Sequence, residues 1–313
     1  MTSRIIQPGI YADFDAASYF ADPCPAPSLT QSIAKVLIEK SPAHARLEHP
    51  RLAPPATADD PAERYDAAKA IGNAAHKLIL GRGREIMVAE FDSFRSKEAK
   101  AFRAEMEAAG NLVVLAAHMA RAEALAAAMR PQLDAAGHRD AFIDGQAEVM
   151  LAWREGDLWF RALVDWMGDG THIYDLKTSG LSAAPHAVQE RPSTDGWDIQ
   201  AAMIERGLDV LDPDGAGRRQ FHFVAIENEP PYALSVVRIS EADLTMGRKK
   251  LAYAVEQWSR CMATDTWPGY RAETVISRPR GWTEQQWLNR EIDEDVRRTS
   301  TQPTFDPDNL MAG

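Results

Sequence analysis

Apolar positions recur with helical spacing toward both ends of the chain and alternate with a period of two in its middle, which predicts helices on either side of a block of strands. The first predicted helix covers about 31–40 and is stopped by Ser41-Pro42. A Pro-rich stretch with little pattern, about 50–61, leads into a second helix over 61–80, where Ala-rich spacing and Leu78, Ile79 and Leu80 point to burial. Helical spacing returns at 96–108 and at 116–129, the latter ended by Pro131, since proline lacks the amide donor that a helix interior needs. Strand patterns follow near 142–153, 158–167 and 171–177. Then come a helix over 197–208, strands at 220–227 and 232–239, and a long amphipathic helix over 241–262. Residues 284–298 read as a charged helix and 299–313 as a loose tail or an interaction segment. This order predicts an α/β (α+β) fold, a mixed central sheet flanked by helices. No internal repeat is visible.

The segments 158–167 and 171–177 carry the first candidate chemistry. If the former is extended, Arg161, Leu163, Asp165 and Met167 share one face, and on the latter Thr171, Ile173, Asp175 and Lys177 do the same. Gly168-Asp169-Gly170 between them is a hairpin signal. A two-residue loop would send Asp165 and Asp175 to opposite faces. A three-residue loop over 168–170, or a bulge, keeps them on one face and diagonal across the ladder, roughly 7–8 Å apart at the backbone. Two carboxylates so placed, with room for water, form a hard-oxygen site suited to Mg²⁺ or Mn²⁺. Such an ion acidifies water and polarises a phosphoryl oxygen, while Lys177 would orient the attacking water or offset charge on the phosphate. Phosphodiester hydrolysis uses this set. An ordinary turn followed by a solvated Asp175–Lys177 pair would leave the same local sequence.

Other residues bear on that choice. Gly72 and His76 lie four apart on one face of the second helix. A glycine inside a helix costs about 1 kcal/mol relative to alanine, so Gly72 is expected to permit a close backbone approach beside the histidine. Glu148 lies in a strand pattern, and Gln200 in a helix with apolar residues on the packed side. Arg82 and Arg84, in the Gly81-Arg82-Gly83-Arg84 turn, are candidates for a DNA path, together with Arg161 inside the site, whereas Lys69 and Lys77 read as a solvated face. Trp153, Trp159 and Trp166 are expected to pack in the sheet rather than stack on bases.

With 45% hydrophobic and 26% charged residues among 313, the composition is that of an ordinary globular protein with a sizeable core. No run long enough to span a membrane and no secretory leader is visible, so the expected location is cytoplasmic. A formal charge of −11 argues against a protein that coats nucleic acid through net charge, though cations can still be concentrated in a groove that admits threaded ends. Cys24 and Cys261 are the only cysteines, which excludes a four-cysteine zinc site and a disulfide framework.

Taken together, Gly72-x-x-x-His76, Glu148, Asp165, Asp175-Leu176-Lys177-Thr178 and Gln200-Ala201-Ala202-Met203 resemble, in order and spacing, the PD-(D/E)XK nucleases, and within them the RecE-like (exodeoxyribonuclease VIII-like) exonucleases. Ser28-Leu29-Thr30 and Ser41-Pro42-Ala43-His44 resemble the amino-terminal element of the phage-type members. The resemblance runs from about 28 to 258. It implies a restriction-endonuclease-like sheet over 28–283, after an extension at 1–27 and before a helix and tail at 284–313. It also implies a metal, Mg²⁺ with Mn²⁺ as a substitute, held by His76, Asp165, Asp175 and the Leu176 carbonyl. Lys177 takes the part of the catalytic lysine, Gln200 arranges the site and the DNA strand, and Glu148 corresponds to an acidic residue near the metal. Some related nucleases carry a four-cysteine iron–sulfur cluster, which two cysteines cannot supply. One departure stands out: the family often has Q-x-x-x-Y, and here the fourth position after Gln200 is Ile204. The implied activity is metal-dependent exonuclease action on linear double-stranded DNA ends for recombination, by a ring-like homo-oligomer with a single-strand annealing protein as partner. The alternatives are a DNA-binding recombination subunit without turnover and a hydrolase of small phosphate esters.

Overall fold

The computed structural model describes residues 4–5, 7–54, 65–168 and 171–299. In chain order its elements are β1 (Gly9–Tyr11), α1 (Ala16–Phe20), β2 (Ser28–Leu29), α2 (Gln31–Glu39), α3 (Pro42–Glu48), α4 (Ala67–Leu80), β3 (Ile86–Ala89), α5 (Lys97–Ala108), β4 (Leu112–Leu115) and α6 (Ala116–Ala135). They continue with β5 (Gln146–Glu155), β6 (Leu158–Met167), β7 (His172–Ser179), α7 (Pro185–Val188), α8 (Arg191–Thr194), α9 (Trp197–Leu211), β8 (Gln220–Glu227), β9 (Leu234–Arg238), α10 (Glu241–Thr264) and α11 (Gly281–Thr299).

Local chemistry sets several of these boundaries. Thr30 and Asp66 cap α2 and α4 by accepting from the Ile33 and Lys69 amides, and Gly81 closes α4 in the left-handed region at φ 71°. Pro42, expected to stop the first helix, also opens α3 at a position where a missing amide costs nothing. Pro131 does not end α6, contrary to expectation. Met129 and Leu133 on either side of it are buried in one core, and the Gln132 side chain donates to Ala128 O at 2.9 Å and to Tyr232 O at 2.9 Å. That packing outweighs a local penalty of about 3 kcal/mol.

The central sheet is mixed, in the order β1-β5-β6-β7-β8-β9, with β2 pairing parallel to β6. β5, β6 and β7 run antiparallel, and β7 pairs parallel with β8. β3 and β4 form a separate parallel pair. On one face α9, α10 and α2 cover the larger core, in which Trp153, Phe160, Phe223 and Trp258 are buried. α4 and α6 cover the other face over Trp166, Tyr174 and Leu176. α10 crosses α9 closely at Gly247, where a Cβ would meet the Asp198 carbonyl at 2.1 Å. β1 joins the sheet edge, and a third cluster around Tyr19, Cys24 and Met150 packs beside it.

The β6–β7 hairpin departs from the predicted register. Trp166 faces Tyr174 and Met167 faces Ile173, and the Gly168 amide donates to His172 O at 2.9 Å, so the connection is longer than three residues. Asp169 and Gly170 lie outside the described residues. Parity is kept as expected, but continuing this register sets Asp165 directly opposite Asp175 rather than diagonal to it.

The predicted shared face on β6 does not hold either. Phe160, Ala162 and Val164 belong to the larger core and Leu163 packs with the Tyr19 cluster, yet Trp166 falls on the α4–α6 side and Met167 on the larger core. The alternation inverts at Asp165. Its cross-strand neighbour Glu148 has φ 50°, a left-handed backbone within a strand, and the ladder skips this pair while 147↔166 and 149↔164 keep one register.

The described residues up to 270 form one compact unit, and 271–299 belong to a second. In the second unit α11 leaves Trp282, Trp287, Leu288, Ile292 and Val296 exposed. No helix among the described residues is long and apolar enough to cross a membrane.

Candidate active site

The site lies where the sheet's alternation breaks. β5 presents Glu148, β6 Asp165, and β7 Asp175 and Lys177, while α4 lays His76 over them. His76 Nε2 is 3.3 Å from Asp165 Oδ2 and Nδ1 is 3.7 Å from Glu148 Oε1. The Leu176 amide donates to Asp165 Oδ2 at 2.9 Å, so a side chain takes the place of a ladder partner just where the β6–β7 pairing stops. Lys177 Nζ lies 2.5 Å from Asp175 Oδ1 and donates to Gln200 Oε1 at 2.9 Å, and Gln200 Nε2 donates to Asp175 Oδ2. Gln200 therefore clamps both members of the Asp-x-Lys pair from α9.

α4 reaches this position because of Gly72. A Cβ there would stand 2.5 Å from Thr178 Oγ1 of β7, so only glycine lets the helix sit this close to the strand.

The charges are strongly coupled. Burial pulls His76 toward neutrality, but the Asp165, Glu148 and Asp175 carboxylates outweigh it and hold its pKa above the ordinary value. Burial also opposes charge on Asp165, yet His76, Lys177 and the Leu176 amide keep it below the usual carboxylate range. Asp175 goes the other way, as burial and the negative Asp165 push it up to about 6 against the pull of Lys177. Burial raises Glu148 too, with Asp165 adding to the rise and His76, Arg82 and Lys77 opposing it.

This donor set fits a hard divalent cation. Asp175 is held by the Lys177 ammonium and the Gln200 amide, yet the Asp165 and Asp175 carboxylates still crowd one another at a cost that a divalent charge between them would remove. Asp165, Asp175, the Leu176 carbonyl and His76 are the groups that would hold it, with Glu148 adjacent. Among the described residues, no three His, Cys, Asp or Glu side chains stand in a ready-made coordination arrangement. Here the donors are turned onto one another and onto Lys177 and Gln200.

Not every expected residue is in this cluster. Arg161 is absent from it: its guanidinium is buried among Tyr19 O, Ser28 O, Ser28 Oγ and the Asp22 carboxylate, the last at 3.1 Å. Arg161 is engaged with the Tyr19 cluster and serves there as a structural counter-ion. Arg82 is exposed and paired with Asp13. Arg84 reaches Asn111 O at 3.4 Å at the edge of a cleft beside α4. Ile204, at the departing position, is buried in the larger core. Two features were not foreseen: the contact of Thr178 with Gly72, and the Asp22–Ser28–His49–Arg161 network. A helix-interior glycine signals the first, whereas a lone aspartate before a proline gives no signal for the second.

A family model described as a PDDEXK-like domain of unknown function (DUF3799) matches residues 57–277. Among solved structures, the fold is similar to a protein from Eubacterium rectale described as a "putative exonuclease", aligned over 83% of this chain and 92% of that one at a TM-score of 0.53 and 12% identity. SSO0001 aligns over 59% of this chain and 84% of that one at a TM-score of 0.24 and 10% identity, too distant to inform the argument. No curated protein matches the sequence.

Proposed function

The chain belongs to the family of PDDEXK-like domains, and from that premise we propose that it is a metal-dependent deoxyribonuclease, an exonuclease that resects linear double-stranded DNA from its ends by phosphodiester hydrolysis. The observation that carries this reading is the convergence of Asp165, Asp175 and Lys177 under His76, beside the skipped pair of β5 and β6. Asp165, Asp175, the Leu176 carbonyl and His76 would hold a Mg²⁺ or Mn²⁺ ion, which when bound would supply positive charge to the scissile phosphate and acidity to water. Lys177, held by Asp175 and Gln200, orients the attacking water and offsets charge on the phosphate. Gln200 fixes the lysine and one oxygen of Asp175 together, so it positions the pair rather than touching the reacting atoms. Preference for ends and a role in recombination, in a ring-like homo-oligomer working with an annealing protein, rest on the resemblance to RecE-like exonucleases. The description of the Eubacterium rectale protein is in line with the same activity.

The test is digestion of end-labelled linear duplex beside closed circular DNA, with Mg²⁺ or Mn²⁺. Linear substrate should be lost and circular substrate kept. Lys177→Ala should abolish cleavage with fold and metal binding nearly intact, whereas Asp165→Asn should weaken metal affinity as well as turnover. Cleavage unchanged by Lys177→Ala would refute the role of that lysine, and DNA binding without cleavage would point to a recombination subunit that lacks turnover.

A further inference from the structure

A cleft of about 670 Å³ opens beside α4, with Leu112 and Val113 of β4 on its apolar side. Four cations line it, Lys69, Arg84, Lys100 and Arg103, in a chain whose formal charge is −11. Two acids line it as well, but Asp66 caps α4 and Glu107 is tied to Arg103 at 2.8 Å. Lys100 and Arg84 are exposed and have no acidic partner among the described residues.

Aromatic rings stand among these charges. Tyr65 and Phe94 meet edge to face at 4.7 Å, and the Arg103 guanidinium lies 5.4 Å from one ring centre and 5.7 Å from the other. Tyr65 also stacks on His118 and bonds to its Nδ1 at 2.8 Å, so the platform is held in place before any ligand arrives.

No residue of the candidate active site lines the cleft, but α4 links the two. Lys69 and Asn73 line it, and His76 follows at the same helical spacing, so one stripe of α4 runs from the cleft to the site over about 10 Å, the span of a few nucleotides. On the other side, Arg84 follows Gly83, whose Cβ position lies 3.7 Å from Glu148 Oε1.

We infer that this cleft binds single-stranded DNA leading to or from the scissile phosphate, with a base against Phe94, which Tyr65 buttresses, and phosphates held by Arg84, Lys100 and Lys69. Cations interleaved with fixed aromatic faces suit an unpaired strand, because the bases of a duplex are stacked on each other and cannot offer their faces. The identity of the strand as DNA rests on the nuclease reading.

The test uses the full chain carrying Lys177→Ala, in chelator, with fluorescence anisotropy of a labelled oligo-dT, an abasic oligomer of equal length and a short duplex. Adding Arg84→Glu with Lys100→Glu should weaken oligo-dT binding about tenfold or more, and Phe94→Leu should weaken oligo-dT but not the abasic oligomer. Arg84 and Lys100 are exposed, so the charge variants test the cleft even if the change at Phe94 disturbs packing. Unchanged affinity in the charge variants, or abasic binding as tight as oligo-dT, overturns the inference. If no DNA is cleaved by the unmodified protein while oligo-dT still depends on Arg84 and Lys100, the nuclease reading falls and the cleft stands. If linear DNA is cleaved and the variants bind oligo-dT normally, the cleft falls alone.

Discussion

Gly72 is the position where helix α4 touches strand β7, and its lack of a side chain sets the place of His76. Gly72→Ala should gain up to about 1 kcal/mol of helix propensity while driving a methyl into Thr178 Oγ1. Stability should therefore change little and cleavage should fall, because α4 must lift away from the strand. Adding Thr178→Ala should restore much of the rate, and a Gly72→Ala enzyme of full activity would show that the contact does not set the site. A second residue works through pH. His222 is buried against Tyr174 and His138, and burial, with the neighbouring histidines and Arg238, pulls its pKa down to about 4. Since the folded value lies below the ordinary one, its contribution to stability is complete above about pH 6.5 and is lost as pH falls toward about 4. Denaturant midpoints measured across that window should drop less in His222→Phe than in the unmodified protein, and parallel curves would remove the effect. The sequence singled out His76, Asp165, Asp175, Lys177 and Gln200 because their order and spacing resemble a family motif, and the structure brings the five together, although the face predicted for β6 did not carry over. It could not place Arg161 or His222, whose roles come from partners far away in the chain.

At the level of elements, the network around Asp22 joins β2, α3 and β6. Its carboxylate accepts from Ser28 Oγ at 2.7 Å and from the Ser28 amide at 2.9 Å, and meets Arg161 at 3.1 Å and His49 at 3.4 Å. Burial opposes its charge, but His49, Arg161 and Ser28 hold its pKa below the ordinary value. Asp22→Asn leaves the buried Arg161 without a counter-charge and should cost about 3–5 kcal/mol in denaturant unfolding. A loss within about 0.5 kcal/mol would mean that the strands hold together without it. Element types were largely readable from periodicity, and α2, α5, β6 and β8 lie close to their predicted bounds. Short elements such as β2 and β4 were not, because a few residues carry no period. Pro131 misled for a related reason: a local penalty was visible in sequence, and the core that overrides it was not.

At the level of the whole molecule, a chain of formal charge −11 can bind nucleic acid only where cations are gathered locally. Oligo-dT affinity should therefore fall with salt at a modest logarithmic slope, about −0.7 per phosphate contact, and Arg84→Glu with Lys100→Glu should flatten it by about 1.4. A slope unchanged by those substitutions would place the phosphates elsewhere. The sequence by itself determined the fold class, the order of the longer strands and helices, and which residues carry the Asp-x-Lys motif, since alternation and helical spacing are local properties that each long segment carries alone. The tertiary structure decided the rest. It stopped the β6–β7 pairing beside Asp165, tied Arg161 to Asp22 rather than to the site, and brought Lys69, Arg84, Lys100 and Arg103 around one aromatic cleft. Register, face inversion and the meeting of distant segments depend on packing between elements, and no single segment encodes them.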